Sequence, residues 1–184
     1  FGDGLGAGWS EGQTRGQIDH ASTAQVFAGD HALSMEVSGF IYELTPDQPL
    51  DMAGFESLRF AVHPGSVTPG RVPALSVLVN GDTRTLVKLI DGDLPTARVD
   101  LTRAEWQVVE IPMRQFQWLE EPLSVIRLFG NLRGTLYLDD IRLTPSRPFP
   151  YRPRWEAGVP DTVLLGQDRE MAVRLSLPPA GHGL

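Results

Sequence analysis

The chain has 184 residues and contains no cysteine. This absence excludes disulfide bonds, a thiol nucleophile and a cysteine metal site. Long apolar runs are absent too, since none approaches the roughly 18 residues that a membrane-spanning helix requires. The segment 1–8 lacks the charged and apolar parts of a signal peptide, so we expect that any export signal was removed. No membrane insertion is predicted.

Positive charge is scarce in this sequence. The chain has 16 basic and 23 acidic residues, which gives a formal net charge of -7 at pH 7. A partner with a phosphate backbone is normally recognised by a basic face. Nucleic acid is therefore not expected as a partner.

The usual parts of a catalytic site are also missing. The four histidines are dispersed, and no serine stands in a nucleophile elbow. Glycosidases use two carboxylates across a cleft, whereas adjacent acids such as Glu120-Glu121 and Asp139-Asp140 point apart on a strand. We therefore expect a protein that is not an enzyme.

Glycine and proline, by contrast, are abundant, with 19 and 15 residues. They are scattered along the chain, which is typical of turns between many short strands. Hydrophobic residues make up 41% of the chain, enough to form a core. No segment keeps a helical period for long, so the composition favours an all-β protein.

Several short segments alternate apolar and polar residues, the pattern of strands with one buried face. They are residues 32–37, 58–62, 74–80, 106–112, 124–130 and 136–143. Asn80-Gly81 predicts a tight hairpin between 75–79 and 83–89, while 51–57 and 113–118 fit single helical turns. Regularly spaced short strands favour an antiparallel two-sheet β-sandwich.

The composition changes after Leu143. Residues 144–154 carry four prolines and three arginines, which predicts a stiff connector. We therefore divide the chain into a sandwich module at 1–144, a connector at 145–156 and a tail at 157–184. The tail has two candidate strands, which either pack back on the sandwich or begin a truncated second module.

Five segments of the chain share their order and spacing with one known family. They are residues 3–9, 26–33, 49–60, 106–113 and 136–143, and the last is the most specific. Together they resemble the galactose-binding-like jelly rolls that serve as carbohydrate-binding modules of bacterial secreted proteins. The resemblance implies a jelly-roll sandwich, glycan on a concave face, a structural calcium ion near the first and last strands, and an extracellular, cell-surface or periplasmic location.

Calcium prefers oxygen ligands. The position that the resemblance implies for the ion points to Asp3, Asp30 and Asp139 as its candidate ligands. The alternative is that Asp139 accepts hydrogen bonds at a bulge or is simply solvated.

Sugar recognition needs flat aromatic surfaces and planar polar groups. Trp118 lies in a loop and is the first aromatic candidate. On the strands, Tyr42, Arg59, Arg127 and Phe129 are expected to face outward and, if their strands are neighbours, to form a polar-aromatic platform.

Other assignments compete with this platform. The arginines could merely solvate the sheet and pair with acids such as Glu43. Trp9 and Trp106 are expected in the core.

The sequence therefore predicts non-catalytic binding of an oligosaccharide or polysaccharide by one part of a larger secreted or surface protein. The expected partners are a glycan and other domains of that protein. Two alternatives stay open: a structural or protein-interaction sandwich with no sugar site, and a jelly-roll polysaccharide lyase or hydrolase.

Overall fold

A computed structural model describes residues 8–68 and 72–146, and it confirms the predicted all-β, antiparallel fold class. Seven strands are present in these residues: β1 (Trp9–Ser22), β2 (Ala32–Pro46), β3 (Phe55–His63), β4 (Leu75–Val79), β5 (Val87–Lys88), β6 (Gln107–Pro112) and β7 (Ile126–Pro145). The predicted helical turns are 3-10 turns at Met52–Gly54 and Met113–Phe116. Within the described ranges no helix is long and apolar enough to cross a membrane.

The long strand β7 organises the sheet. One of its edges pairs with β2, and the other pairs with β4 at its beginning and with β3 at its end. Segment 66–68 pairs with β7 between these two strands. Ser66 donates its N–H to the Thr135 carbonyl at 3.1 Å, and Thr68 donates its N–H to the Arg133 carbonyl at 2.8 Å. Strand β1 extends the sheet beside β2, β6 beside β3, and β5 beside β4.

The sheet folds over on itself into two layers. Leu58 and Phe60 of β3 line the same small cavity as Val77 of β4 and Leu128 of β7, so the inner sides of the two ends face each other. The strands change direction at irregular positions, for example at Gly39, where φ is +67° and the register with β7 shifts. A sandwich results even though hydrogen bonding is continuous through the shared strands.

The core lies between these layers and follows the predicted alternation. In β2, Leu33, Met35 and Val37 are buried, and the inward residues of the other predicted strands are buried as well. These are Leu58, Phe60, Val62, Leu75, Val77, Val79, Val109, Ile111, Ile126, Leu128, Leu136 and Leu138. Burying each large apolar side chain stabilises the fold by about 1.5–3 kcal/mol before entropy is counted.

Strand β1 was not predicted at its full length. Ten of its 14 residues are exposed, and Ile18 is one of the few that pack against the core. The strand lies at the end of the sheet and, within the part of the chain that the structure describes, pairs with β2 alone, so it needs few apolar residues. An alternation test therefore could not detect it.

The predicted hairpin at Asn80-Gly81 is wrong in length. Both residues have positive φ, at 52° and 70°, as a tight turn requires. Thr85 then returns to the end of β4, where Val79 donates its N–H to the threonine Oγ1 at 2.9 Å and the hydroxyl donates to the Val79 carbonyl at 3.0 Å. A 3-10 turn thus replaces the start of the second strand, and β5 is only two residues long.

The connector at 145–156 reaches beyond residue 146, and the tail at 157–184 lies entirely outside the described residues. Asp3, Trp155 and the first of the five family-like segments, up to residue 7, also lie outside them. The domain boundaries and the role of the tail stay predictions.

Gly134 provides a test of the folded sheet. Its φ is +118°, and a Cβ there would lie 2.6 Å from the Ser66 carbonyl oxygen. We expect Gly134→Ala to lower the free energy of unfolding by about 2–4 kcal/mol, because it adds both backbone strain and overlap. Denaturant unfolding measures the change.

Gly54→Ala is the matched control, because a Cβ at Gly54 meets nothing within 4 Å. It should change the free energy of unfolding by less than about 1 kcal/mol. If the two substitutions had equal effects on the free energy of unfolding, the close contact between Gly134 and segment 66–68 would not constrain the sheet.

Candidate functional site

A groove of about 460 Å³ opens between two loop segments at one end of the sandwich. One wall is 51–55, which leads into β3, and the other is 113–122, which connects β6 to β7. Its volume lies within the range of ligand sites in proteins. The groove is therefore the first place to look for a ligand.

The two walls are joined by backbone hydrogen bonds. Leu50 and Leu123 exchange N–H to carbonyl bonds of 2.9 and 2.8 Å, which form an isolated antiparallel bridge. Phe116 and Leu123 are both buried in the core. Each apolar anchor stabilises the loop by an amount of the order of 2 kcal/mol, so the loop is fixed at two points.

Asn80 holds the end of the same loop. Its side-chain amide donates to the Pro122 carbonyl at 2.8 Å. Its Oδ1 accepts the Ser124 and Val125 N–H groups at 2.8 and 3.2 Å, and the Ser124 hydroxyl at 3.1 Å. One side chain thus positions the segment that carries the groove wall into β7.

Trp118 lies on this wall and points into solvent, with an exposed fraction of 60%. Its neighbours Gln117 and Leu119 both line the groove. A turn fixes its position, because Leu119 donates its N–H to the Phe116 carbonyl at 3.0 Å. A flat aromatic surface is therefore presented to solvent beside the groove.

Polar side chains complete the groove, and acids predominate among those that carry charge. The acids are Asp51, Glu120 and Glu121, and the basic residue is Arg114. All four are exposed to solvent. The Asp51 carboxylate also accepts the Ala53 N–H at 2.9 Å, which orders the start of the first wall.

Arg127 and Phe129 lie on the outer side of the sheet, as predicted. Arg127 donates from Nε to the Glu43 carboxylate at 2.6 Å, and Gln13 donates its N–H to the same carboxylate at 2.7 Å. Glu43 is only 8% exposed. The pairing of arginine with Glu43, which was the alternative to a binding platform, is thus present.

Arg59 lies far from Arg127, so the predicted platform does not form. Arg59 pairs with Asp140 and lies opposite Arg142, near the end of β7, whereas Arg127 is at its beginning. Because the inner sides of these two ends face each other, the two arginines lie on opposite outer faces of the sandwich. Strands β3 and β7 are neighbours, which was the condition for the platform, but the two arginines lie at opposite ends of β7.

The prediction that Tyr42 faces outward is wrong. Its side chain is 1% exposed and lines the core cavity. The register shift at Gly39 changes the alternation along β2, so Tyr42 points inward and Ile41 outward. Burial, helped by the nearby Glu11 carboxylate, raises the pKa of Tyr42 well above its usual value. Its oxygen nevertheless makes no hydrogen bond of normal geometry among the described residues.

Asp139 is fully buried and holds the loop between β1 and β2. Its Oδ2 accepts the N–H groups of Phe27 and Ala28 at 2.9 and 3.0 Å, and its Oδ1 accepts the Asp140 N–H at 2.6 Å. Asp140 has a positive φ of 50°, as expected at a bulge. The alternative to metal ligation, a hydrogen-bonded aspartate at a bulge, is thus observed.

The described residues do not fit a calcium site by themselves. Asp30 is exposed, and no group of three or more acidic or histidine side chains comes together in the described ranges. Calcium binding stays a prediction that depends on Asp3.

An aromatic cluster that was not predicted covers the outer side of β3 and β7. The ring of His63 lies 5.5 Å from that of Trp106 and 6.0 Å from that of Tyr137, and Phe27 lies 5.7 Å from Trp106. Trp106 was expected in the core and instead is half-buried on this face, whereas Trp9 packs against the core as expected. The alternation in β6, with Val109 inward, already places residue 106 on the outer side.

No protein-family model matches this chain, and no curated protein is similar to it in sequence. Solved structures do match. SGBP-B from a xyloglucan utilization locus in Bacteroides uniformis aligns with a TM-score of 0.43 and 12% identity over 75% of this chain and 47% of that one. The family 11 carbohydrate-binding module of Lic26A-Cel5E from Clostridium thermocellum aligns with a TM-score of 0.47 and 11% identity over 82% and 94%.

The CBM22-1 xylan-binding domain of Xyn10C from Paenibacillus barcinonensis aligns with a TM-score of 0.44 and 17% identity over 79% of this chain and 91% of that one. The chain spans less than two thirds of the first three structures found, at 47%, 37% and 63% of their length. At these TM-scores and identities we draw no conclusion about a ligand from the likeness.

The role of Asn80 can be measured with Asn80→Gly, which keeps the positive φ and removes the side chain. We expect the free energy of unfolding to fall by about 1–3 kcal/mol, because the bonds to the 122–125 segment are lost. Ser124→Ala removes only the hydroxyl bond and should cost less than about 1 kcal/mol. Equal stability of wild type and Asn80→Gly in denaturant unfolding would contradict this role.

Tyr42 gives a prediction for alkaline pH. Its pKa is raised in the folded chain, so its contribution to stability is complete below the usual tyrosine value of about 10 and is lost as the pH rises above it. Tyr42→Phe should weaken this alkaline loss. At pH 7 it should cost less than about 1 kcal/mol, because the hydroxyl lacks a well-formed hydrogen bond. Thermal unfolding of both proteins between pH 7 and 11 tests both points.

Proposed function

We propose that this protein binds an oligosaccharide or polysaccharide at the groove beside Trp118, without chemical change to the sugar. The observation that carries the proposal is the exposed indole beside a groove with polar walls. The faces of sugar rings expose C–H groups that pack on aromatic rings, and their hydroxyls bond to carboxylates and amides. Trp118, Gln117 and Glu120 supply these groups side by side.

The rigidity of the site supports binding. The wall that carries Trp118 is fixed by the Leu50–Leu123 bridge, by buried Phe116 and by the Asn80 side chain. A loop that is already ordered loses little conformational entropy when a ligand arrives. Weak contacts with a flexible glycan can then yield measurable affinity.

One of the two acid pairs considered for catalysis, Asp139-Asp140, is already engaged, which supports the non-catalytic part of the proposal. Asp139 accepts backbone N–H groups, and Asp140 pairs with Arg59 and Arg142. Both therefore serve the fold rather than acid-base chemistry. Assay for new reducing ends with the same glycans tests this part, and their release would support the hydrolase alternative.

We further propose that the chain acts as one module of a larger secreted, surface or periplasmic bacterial protein, with other domains of that protein as neighbours. This context is what the resemblance of the five segments implies.

Trp118→Ala tests the proposed site. Binding to a glycan array or in affinity electrophoresis should fall about five- to thirtyfold, because stacking on an aromatic ring is of the order of 1–2 kcal/mol. Leu86→Ala is the control, since Leu86 is also exposed and apolar but lies outside the groove. It should bind as wild type does.

Phe129→Ala separates the groove from the outer face of the sheet. If Phe129→Ala abolishes binding and Trp118→Ala does not, the glycan lies on the sheet face and the groove is not the site. No binding by wild type to any plant or bacterial polysaccharide would overturn the proposed function and favour the structural or protein-interaction alternative.

A further inference from the structure

The charged side chains on the groove walls are mainly acidic. Three carboxylates line the groove, those of Asp51, Glu120 and Glu121, against the guanidinium of Arg114. They stand on both walls, with Asp51 on one and the glutamates on the other. A ligand in the groove therefore has carboxylates on both sides of it.

We infer that the groove selects uncharged, hydroxyl-rich glycans and rejects glycans that carry carboxylates. This inference rests on the proposed function. Ionised carboxylates only accept hydrogen bonds, so the ligand must donate, as sugar hydroxyls do. A uronate brings a further acceptor of the same sign and is repelled.

The geometry of the walls supports this selection against charged glycans, because it places the carboxylates close to the bound sugar. Glu120 and Glu121 lie two and three residues after Trp118 on the same wall, and this segment is held by Asn80 through Pro122. A sugar stacked on the indole therefore lies next to these carboxylates. Like charges at such short range reduce affinity, and the effect is weakened by salt.

The basic residues nearby do not reverse this sign. Arg114 is the only basic residue among the described residues that line the groove. Arg84 approaches Glu120 but is already paired with Asp82 at 2.6 Å. An anionic glycan therefore meets two more acids than bases on the groove walls.

Matched polysaccharides test the inference. Mixed-linkage β-glucan, galactomannan and glucomannan are titrated by calorimetry, each in native form and with its primary hydroxyls oxidised to carboxylates. Whichever native form binds should bind about tenfold more tightly than its oxidised partner at low salt, and less so as the salt rises.

The double variant Glu120→Gln, Glu121→Gln should bind the oxidised form, relative to the native form, about tenfold better than wild type does. Both glutamates are exposed, so the fold should be kept, and thermal unfolding verifies this. Arg114→Gln is the opposite control and should increase the preference for the native form.

The outcomes separate the two claims. Equal binding of native and oxidised forms by wild type, or no gain by the double variant, overturns the charge selection while glycan binding stands. Absence of binding to all forms overturns the proposed function as well.

Discussion

The hydrogen bonding of β7 along both of its edges is the interaction on which the rest of the structure depends. Strand β2 follows one edge, and β4, segment 66–68 and β3 follow the other. Because β2 and β7 pair with each other on both sides of the point where the sheet folds, both layers share the same hydrogen-bonded ladder. The loop that carries Trp118 leads directly into β7, so the position of the groove wall is set by this central strand.

Polar groups divide into two sets in this molecule. On the outer faces, Arg127 pairs with Glu43 and Arg59 with Asp140, and each pair joins neighbouring strands. Such ion pairs contribute at most about 1 kcal/mol when they are partly exposed, so their main effect is on register rather than stability. The acids of the groove stand apart from these pairs on loop segments, where a ligand can reach them.

Residue alternation predicted the core well, because a strand with one buried face shows a period of two. Leu33 and Phe60 are examples, and their strands lie where the pattern indicated. The position of Tyr42 could not be predicted in this way, since one bulge at Gly39 reverses the alternation and leaves no signature in composition.

The candidate site was predicted only in part. Trp118 was predicted to lie in a loop, and it does so and is exposed, while its part in binding stays a prediction. The opposite wall around Asp51 was not foreseen, because it is brought to Trp118 by the Leu50–Leu123 bridge between segments distant in sequence. The distance between Arg59 and Arg127 depends in the same way on how the sheet folds, which strand order alone does not reveal.

The exposed strand β1 has a consequence for self-association. In the described residues it pairs with β2 on one side only, so its other edge presents backbone donors and acceptors to solvent. Such an edge invites a second copy to add a strand. Three irregularities in register and the charged side chains of Glu11, Arg15 and Asp19 interrupt it. The polar, irregular sequence that concealed β1 from prediction thus also disfavours the joining of two molecules edge to edge.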